Sequence, residues 1–334
     1  MSTQADEIAP ASPQPEDFKA PVFQDNKIVL YFHPYNFYSQ KVLLVFYEKN
    51  IDFTPYIVDL CNGEQYSSWF LKLNPKGDVP VLQDGSLIVP NSRNIINYVD
   101  NKFRGIQYPV LKPYNPDSLE YEQMMTFDQA VTRLPIGALS LGSFIHDDIK
   151  LVPKAPFIGP VRQACLNNNQ KVMDILRRSV AEVDAKNTAL KQKLELQMRR
   201  RALIASRIDF QRVLDAVRSV LTFVEQELSK QTPRKEWLTG DEITLADVSL
   251  GLLLQRLYQL GFENYYWSYG KLPMVEGYFL RFKQRPSYHR LVPTTNFDIL
   301  KDMWTMTPPN YKLGATAGIL VGHINTNKRT LNST

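Results

Sequence analysis

The sequence predicts an α/β domain with a small sheet, followed by a larger domain made only of helices. Within residues 27–104, short runs of β-branched and aromatic residues alternate with segments of helical periodicity. From about residue 116 onward, apolar residues recur almost only at helical spacing. The length of 334 residues is ample for two such domains, each with its own core.

In the first domain, the predicted order is strand, helix, strand, helix, two strands and a final helix. The Asp84-Gly85 pair between the last two strands is typical of a tight hairpin, because such turns need positive φ. This order is that of a thioredoxin-like domain. The predicted strands are 27–32, 53–60, 79–82 and 86–89, and the predicted helices are 38–50, 65–73 and 91–99.

The second domain is predicted to be all-helical over 116–300, with a long helical insert at about 165–207. Four prolines predict a loop-rich segment over 135–160. Thr244 and Asp247 resemble a capping box in which Asp replaces the commoner Glu or Gln, so both are assigned a structural role. The predicted helices are 116–134, two long amphipathic helices within 167–230, one from 244 to 260, and one or two over 273–282 and 286–291.

Composition narrows the function classes. A net charge of +5 is mild for this length, and we expect no nucleic-acid partner. Cys61 and Cys165 are isolated thiols outside any CxxC spacing, which is typical of a reducing compartment. The four histidines are scattered without metal-ligand spacing, so no metal site is predicted.

Both ends of the sequence are predicted to be tails. Residues 1–26 are polar, acidic and rich in proline, and they have no basic or apolar region of a targeting signal. The C-terminal tail, 301–334, contains an apolar segment at 313–324 that is too short to cross a bilayer alone. We expect an incomplete membrane anchor, which could lie at a membrane interface or form part of a docked helix.

The insert carries an unusual concentration of positive charge. Residues 185–207 contain seven cations and one acidic residue, so this window exceeds the net charge of the whole chain. One interpretation is a solvated helical hairpin. The other is a surface for acidic partners or anionic lipid headgroups. The candidate surface residues are Lys191, Lys193, Arg199, Arg200 and Arg201.

Three segments resemble the glutathione S-transferase superfamily. FLKLNPKGDVPVLQDGSLIVPNSRNIINYV is similar to the second half of its glutathione-binding domain, WLTGDEITLADVSL to its helical capping motif, and LPMVEGYFLRFKQRPSYHRL to its closing helix. They occur in the expected order and cover most of 27–291. One subfamily is more similar still, on the basis of the insert and of the segments YSQKVLLVFYEKN and TLADVSL. It is the ganglioside-induced differentiation-associated protein 1 subfamily, whose members are transferase-like proteins of the mitochondrial outer membrane.

The resemblance implies a glutathione site around Val79-Pro80. Pro80 cannot donate to a sheet, so it belongs at the start or edge of a strand, where free backbone can pair with a ligand. The resemblance implies a cis bond here, with the Val79 N–H and C=O pairing with the cysteinyl part of glutathione. It also implies that Ser92 holds the γ-glutamyl carboxylate at a helix start, although Ser92 could equally be only an N-cap.

Two positions depart from the superfamily pattern. Asn91 stands where members carry Glu or Gln to hold the ammonium group of glutathione. Asn36 stands where related classes carry the catalytic Ser or Cys, and it can donate a hydrogen bond to a thiolate but cannot ionise. The nearby hydroxyls that could substitute are Tyr31, Tyr35, Tyr38 and Ser39.

Two functional hypotheses follow from the resemblance. The first is a transferase-like protein of the mitochondrial outer membrane, facing the cytosol, that acts in mitochondrial network dynamics, fission and redox homeostasis with absent or weak transferase activity. The second is an active glutathione S-transferase that conjugates glutathione to apolar electrophiles. The implied partners are a second copy in a homodimer, and mitochondrial or cytoskeletal proteins or anionic lipid at the insert. Without a working anchor, we expect a cytosolic protein.

Overall fold

The computed structural model describes residues 13–23, 27–182, 188–231 and 235–292. The predicted C-terminal tail lies outside these ranges, as do residues 1–12 and 24–26 of the predicted N-terminal tail.

The first domain contains a mixed four-stranded sheet. Its strands are β1 (Ile28–Phe32), β2 (Thr54–Ile57), β3 (Val81–Asp84) and β4 (Leu87–Pro90). The spatial order is β2-β1-β3-β4, in which β1 and β2 are parallel, and β3 is antiparallel to both β1 and β4. The predicted thioredoxin-like arrangement is confirmed.

Helices cover both faces of this sheet. They are α1 (Phe37–Glu48), α2 (Ser68–Leu73) and α3 (Ser92–Lys102). Successive side chains of β1 point to opposite faces. Leu30 and Phe32 join the core that the sheet shares with α1, α3 and the helical domain, whereas Val29 and Tyr31 pack toward α2.

Residues 13–23, which belong to the N-terminal tail predicted over 1–26, pack against the first domain. The ring of Phe23 makes edge contacts with Tyr31 and Tyr56, at centroid distances of 6.0 and 6.1 Å. Burying an aromatic ring provides the free energy that holds an otherwise polar segment in place.

The second domain is all-helical, as predicted. Its helices are α4 (Leu119–Thr132), α5 (Ile136–Ile145), α6 (Gly159–Glu182), α7 (Thr188–Ala205), α8 (Arg207–Lys230), α9 (Leu245–Leu260), α10 (Glu263–Tyr266), α11 (Pro273–Phe282) and α12 (Pro286–Leu291). The predicted bounds of the last two helices agree with the structure.

One prediction for this domain is incomplete and one is wrong. The segment 135–160, predicted to be loop-rich, also contains a helix, because α5 occupies its first half. The small side chain of Gly142 permits close packing there, since a Cβ atom would lie 2.1 Å from the Phe210 ring. The predicted pair of long helices is in fact three, because the basic stretch itself forms α7 and a new helix begins after the N-cap Ser206.

A buried ion pair links the two domains. Lys41 of α1 contacts Asp128 of α4, and their side chains are only 6% and 10% exposed. The Ser249 hydroxyl of α9 donates to the same carboxylate. Burial of these charges is compensated by the pairing, so the position of α1 against the helical domain is fixed.

The insert packs against the first domain. Ile175 and Leu176 of α6, with Leu190 of α7, form an apolar cluster around Tyr66, just before α2. The insert is therefore docked on the sheet domain through one face. Among the described helices, none combines the length and the apolar character that a membrane crossing requires.

Candidate functional site

The candidate site lies at the end of β1. Tyr31 of β1 is opposite Val81 of β3, so the residues that follow Tyr31 run beside those that precede Val81. Val81 also pairs with Pro90, directly before α3. Three segments singled out in the sequence therefore meet at one end of the sheet: 33–36, 79–80 and 91–92.

The backbone of Val79 lacks partners. Its N–H and C=O make no hydrogen bond with any described residue, although Val79 is only 7% exposed. The bond to Pro80 is cis, as the resemblance implies, and the Pro80 C=O accepts from the Asn91 N–H at 3.3 Å. Protein backbone groups in such surroundings are nearly always paired. Val79 thus presents one donor and one acceptor to an extended ligand.

Asn91, rather than Ser92, is the N-cap of α3. Its side-chain oxygen accepts from the Arg93 N–H at 2.9 Å, and its φ of 76° is a conformation that Asn tolerates better than most residues. The Ser92 hydroxyl makes no hydrogen bond within the described ranges and is half-buried. The first turn of α3 therefore retains a free hydroxyl beside the free Val79 backbone.

Asn36 is the N-cap of α1. Its side-chain oxygen accepts from the Ser39 N–H at 2.9 Å. The side-chain nitrogen makes no hydrogen bond with the residues that the structure describes, and it remains a neutral donor at the start of the helix. Asn36 can thus bind an anion by hydrogen bonding, and it has no proton to lose at ordinary pH.

Ser39 and Tyr35 lie beneath this loop. Ser39 is wholly buried, and its hydroxyl accepts from the His33 N–H at 3.4 Å. Tyr35 is 9% exposed and packs edge-on against Phe157. These burials leave neither side chain on the outer surface of the loop.

The other two candidate hydroxyls lie elsewhere. The Tyr31 hydroxyl donates to Gln83 at 2.7 Å, and burial raises its pKa. Tyr38 is 40% exposed on the first turn of α1. Tyr31 belongs to the α2 side of the sheet, away from the loop that contains Asn36.

Two family models match this chain in the order that the fold requires. The model described as the N-terminal domain of glutathione S-transferase matches residues 30–107, and the model of its C-terminal domain matches residues 169–286. Together they span more than half of the chain. This protein belongs to the glutathione S-transferase family.

Curated relatives agree with this assignment. The chain is 27% identical over 301 residues to ganglioside-induced differentiation-associated protein 1-like 1 of Homo sapiens, covering 87% of this chain and 81% of that protein. It is 26% identical over 264 residues to glutathione S-transferase TCHQD of Arabidopsis thaliana, covering 79% and 88%.

Solved structures show the same fold. The β-etherase LigF of Sphingobium sp. superimposes with a TM-score of 0.57 at 22% identity, over 79% of this chain and 98% of that chain. Glutathione transferase F2 of Populus trichocarpa superimposes with a TM-score of 0.51 at 22% identity, over 79% and 96%.

In this member of the glutathione S-transferase family, His33 is held neutral next to the loop. Its Nδ1 accepts from the Tyr35 N–H at 3.3 Å. Burial, with a smaller contribution from the nearby Arg256 charge, lowers the His33 pKa to about 4, and Asp59 opposes the shift. His33 therefore adds no positive charge near neutral pH.

Arg256 lies beneath the same loop and was not predicted as a site residue. Its Nη2 donates to the Tyr35 carbonyl at 2.7 Å and to the Gln40 side chain at 3.1 Å, and its Nη1 donates to Ser140 at 3.2 Å. One signal was available in the sequence. Arg256 is a charged residue within the apolar run that forms α9.

Lys193 contacts the loop that enters the site, a role that the sequence did not reveal. Its ammonium group donates to the carbonyls of Lys76 and Gly77 and lies 2.7 Å from the Asp78 carboxylate. Only glycine fits at position 77, where φ is +57° and a Cβ would lie 2.8 Å from the Gln65 carbonyl. The insert thus holds the residues directly before Val79.

The other basic residues of the insert have different surroundings. Lys191 and Arg199 are exposed. Arg200 is half-buried beside Gly137, and Arg201 donates to Gln170 at 2.6 Å. The five predicted surface cations therefore do not share one outward face, because Lys193 turns toward the sheet domain.

The predicted capping box is present at the start of α9. Asp247 is wholly buried and accepts hydrogen bonds from the Leu238 N–H, the Thr244 N–H and hydroxyl, and the Tyr278 hydroxyl. Burial raises the pKa of this carboxyl, and the donors act against that shift. These bonds tie α9 to α11.

The two cysteines are poorly suited to nucleophilic chemistry. Burial raises the pKa of Cys61 to about 12 and that of Cys165 to about 11, so both remain thiols at neutral pH. Within the described part of the chain, no group of three His, Cys, Asp or Glu residues is placed to hold a metal ion.

Proposed function

We propose that this protein binds glutathione at the end of β1 and turns it over weakly or not at all. The observation that carries this proposal is that neither the backbone of Val79 nor the hydroxyl of Ser92 has a hydrogen-bond partner in the described part of the chain. An extended peptide can add to such an edge through main-chain hydrogen bonds.

The three parts of glutathione have matching groups. The cysteinyl N–H and C=O pair with the C=O and N–H of Val79. The γ-glutamyl carboxylate accepts hydrogen bonds from the Ser92 hydroxyl and from amides at the start of α3, where the helix dipole favours negative charge. The sulfur then lies toward the loop that contains Asn36.

Weak turnover follows from the residues at this loop. Asn36 offers an amide hydrogen bond to the sulfur but no ionisable group, and Ser39 is wholly buried. Lowering the pKa of a thiol usually needs a positive charge or a strong donor close to the sulfur. We therefore propose binding with little conjugation.

Calorimetric titration with glutathione tests the binding proposal. The Ser92→Ala variant should bind about tenfold more weakly, because a hydrogen bond to a charged group contributes about 1.5 kcal/mol. Ser219→Ala is the matched control, since this exposed serine on α8 bonds only the Asp215 carbonyl within the described ranges. Equal affinity of all three proteins would contradict the site, and absence of binding to the unsubstituted protein would contradict the function.

In the cell, we propose a role at the mitochondrial outer membrane, facing the cytosol. Similarity to the ganglioside-induced differentiation-associated protein 1 subfamily supports a part in network dynamics, fission and redox homeostasis. The exposed Lys191 and Arg199 support contact with acidic mitochondrial or cytoskeletal proteins, or with anionic lipid. Fluorescence microscopy of the tagged chain beside a mitochondrial marker tests the location. A uniform cytosolic signal would contradict it.

Family membership also favours a homodimer, because glutathione S-transferases are commonly dimeric. Sedimentation of the purified protein tests this. A monomer at all concentrations would contradict it.

A second candidate function is conjugation of glutathione to apolar electrophiles. The observation that favours it is the uncommitted side-chain nitrogen of Asn36 at the start of α1. A conjugation assay separates the two candidates: turnover that falls in Asn36→Ala while glutathione affinity is unchanged would support this candidate over the first.

A further inference from the structure

Arg256 is a buried cation without a carboxylate partner among the described residues. It is 5% exposed, and its three hydrogen bonds all go to neutral oxygens, as described above. Its Nε makes no hydrogen bond with the residues that the structure describes. The guanidinium group also lies 5.2 Å from the centre of the Phe157 ring.

A charge in this situation calls for a counter-ion. Removing a guanidinium group from water is costly, and buried arginines are normally paired with acidic groups. Burial lowers the Arg256 pKa to about 10, so the group is still charged at neutral pH. The fold thus maintains an uncompensated positive charge at this place.

Within the described ranges, no neighbour of Arg256 carries a negative charge that pairs with it. His33, on the loop before α1, is neutral, and Cys165, on α6, is a protonated thiol. Tyr35 contributes its carbonyl, and α5 contributes only the Ser140 hydroxyl. The charge of the Asp59 carboxylate raises the His33 pKa, and the carboxylate accepts hydrogen bonds from the backbone N–H and the side-chain amide of Asn62.

The position of Arg256 indicates which anion would pair with its guanidinium group. Arg256 has two acceptors on the sheet domain. Tyr35 lies directly before Asn36, and Gln40 lies one helical turn after it. The guanidinium group is therefore beneath the first turn of α1, whose N-terminus already carries partial positive charge. In the proposed function, the sulfur of glutathione lies above this turn.

We propose that Arg256 is a positioning residue that supplies the positive charge favouring the thiolate form of bound glutathione. This inference rests on the proposed binding of glutathione. It assigns a charge that acts from beneath the loop, whereas Asn36 and the buried Ser39 offer no charge and no ionisable group at the sulfur itself for efficient conjugation. The step is a simple ionisation. The S–H bond breaks, the electron pair stays on sulfur, and the proton passes to solvent.

The ultraviolet absorbance of the thiolate, titrated against pH with glutathione bound, tests this inference. Arg256→Gln keeps a donor and loses the charge, whereas Arg256→Lys keeps the charge. We expect the ionisation constant to fall about tenfold or more in Arg256→Gln and to recover largely in Arg256→Lys. Arg218→Gln is the matched control, since Arg218 is exposed and stacks on Tyr265, and its midpoint should not move.

Three outcomes would overturn the inference. The first is the same midpoint in the wild-type protein and in folded Arg256→Gln. The second is an equal shift in the Gln and Lys variants, because a packing role would produce it. The third is absence of glutathione binding to the wild-type protein, which overturns the proposed function as well, whereas the first two leave that function intact.

A measurement on the wild-type protein keeps the test decisive if Arg256→Gln does not fold. S-methylglutathione has no ionisable sulfur, so the ratio of glutathione affinity to S-methylglutathione affinity reports the thiolate alone. We expect this ratio to rise with pH, with its midpoint below that of free glutathione. A ratio that is independent of pH overturns the inference.

Discussion

The starts of α3 and α9 are both capped by a polar side chain, but they differ in how many of their polar groups are hydrogen-bonded within the protein. At α9, the Asp247 carboxylate accepts four hydrogen bonds, at distances of 2.7 to 2.9 Å, and is wholly buried. At α3, Asn91 accepts one hydrogen bond, and the Ser92 hydroxyl has no partner within the described chain. One helix start is saturated and enclosed, and the other retains free groups next to the surface.

This difference distinguishes a helix start that stabilises the fold from a helix start that can bind a ligand. Every helix start has amide groups that need acceptors. When the protein itself supplies them, as Asp247 does, the result is a fixed connection between elements. When the chain leaves donors free beside an unpartnered strand edge, a ligand can supply the acceptors. We therefore expect substitutions at the two sites to change different measured quantities.

The largest effect is expected at Asp247. Asp247→Ala should lower the free energy of unfolding by about 3 kcal/mol, because it leaves several buried donors without an acceptor. Denaturant unfolding measures this, and the glutathione affinity of the folded fraction should not change. Asp209→Ala, at the more exposed start of α8, is the control and should cost less than about 1 kcal/mol. An unchanged midpoint in Asp247→Ala would contradict the structural role.

Lys193 provides the second prediction. Its ammonium group donates hydrogen bonds to the loop immediately before Val79, whose own backbone groups have no partner among the described residues. Lys193→Met should lower the free energy of unfolding by about 1 to 2 kcal/mol, since its hydrogen bonds involve a charged donor. It should also weaken glutathione binding several-fold by releasing residues 76–78. Lys191→Met removes the same charge from an exposed position on α7. Equal effects of the two substitutions on glutathione binding would show that charge alone matters.

His33 provides a pH test at the loop between the sheet and α1. Its pKa is about 4 in the fold, against an ordinary value near 6.5, so unfolding takes up a proton between these values. The stability that neutral His33 contributes is complete above pH 6.5 and is lost as pH falls toward 4. His33→Gln should therefore reduce the loss of stability between pH 7 and pH 5 by about 2 kcal/mol. Identical pH dependence in denaturant unfolding would refute this.

The smallest expected effect is a gain at Asn91. Asn91→Glu places a carboxylate where superfamily members hold the ammonium group of glutathione, and we expect binding to tighten by about twofold to fivefold. The positive φ of Asn91 limits the gain, because Glu is less tolerant of that conformation. Asn94→Glu, on the exposed face of the first turn of α3, is the matched control. Tighter binding in both variants would indicate a general charge effect.

Local signals explain what the sequence could predict. The strands were accessible because their residues are β-branched and aromatic, and because Asp84-Gly85 marks the hairpin. The Thr244-Asp247 spacing predicted the capping box. Helix α5 was missed because its glycines and serines give weak helical signals, and it is stabilised by packing against α7 and α8.

The missed site residues depend on tertiary structure. Arg256 bonds Tyr35 and Lys193 bonds Asp78, and each pair is separated by more than a hundred positions. No periodicity or spacing rule connects such positions. The free backbone of Val79 is also invisible to sequence, because it depends on which neighbours fail to pair with it.

The most direct measurement is hydrogen exchange at the Val79 amide, with and without saturating glutathione. The proposed site predicts that this amide exchanges readily in the free protein and slows strongly when glutathione binds, because the cysteinyl carbonyl becomes its acceptor. The Thr244 amide, already bonded to Asp247, should exchange slowly in both states. Glutathione binding that leaves Val79 exchange unchanged would place the ligand elsewhere and contradict the assignment of this strand edge.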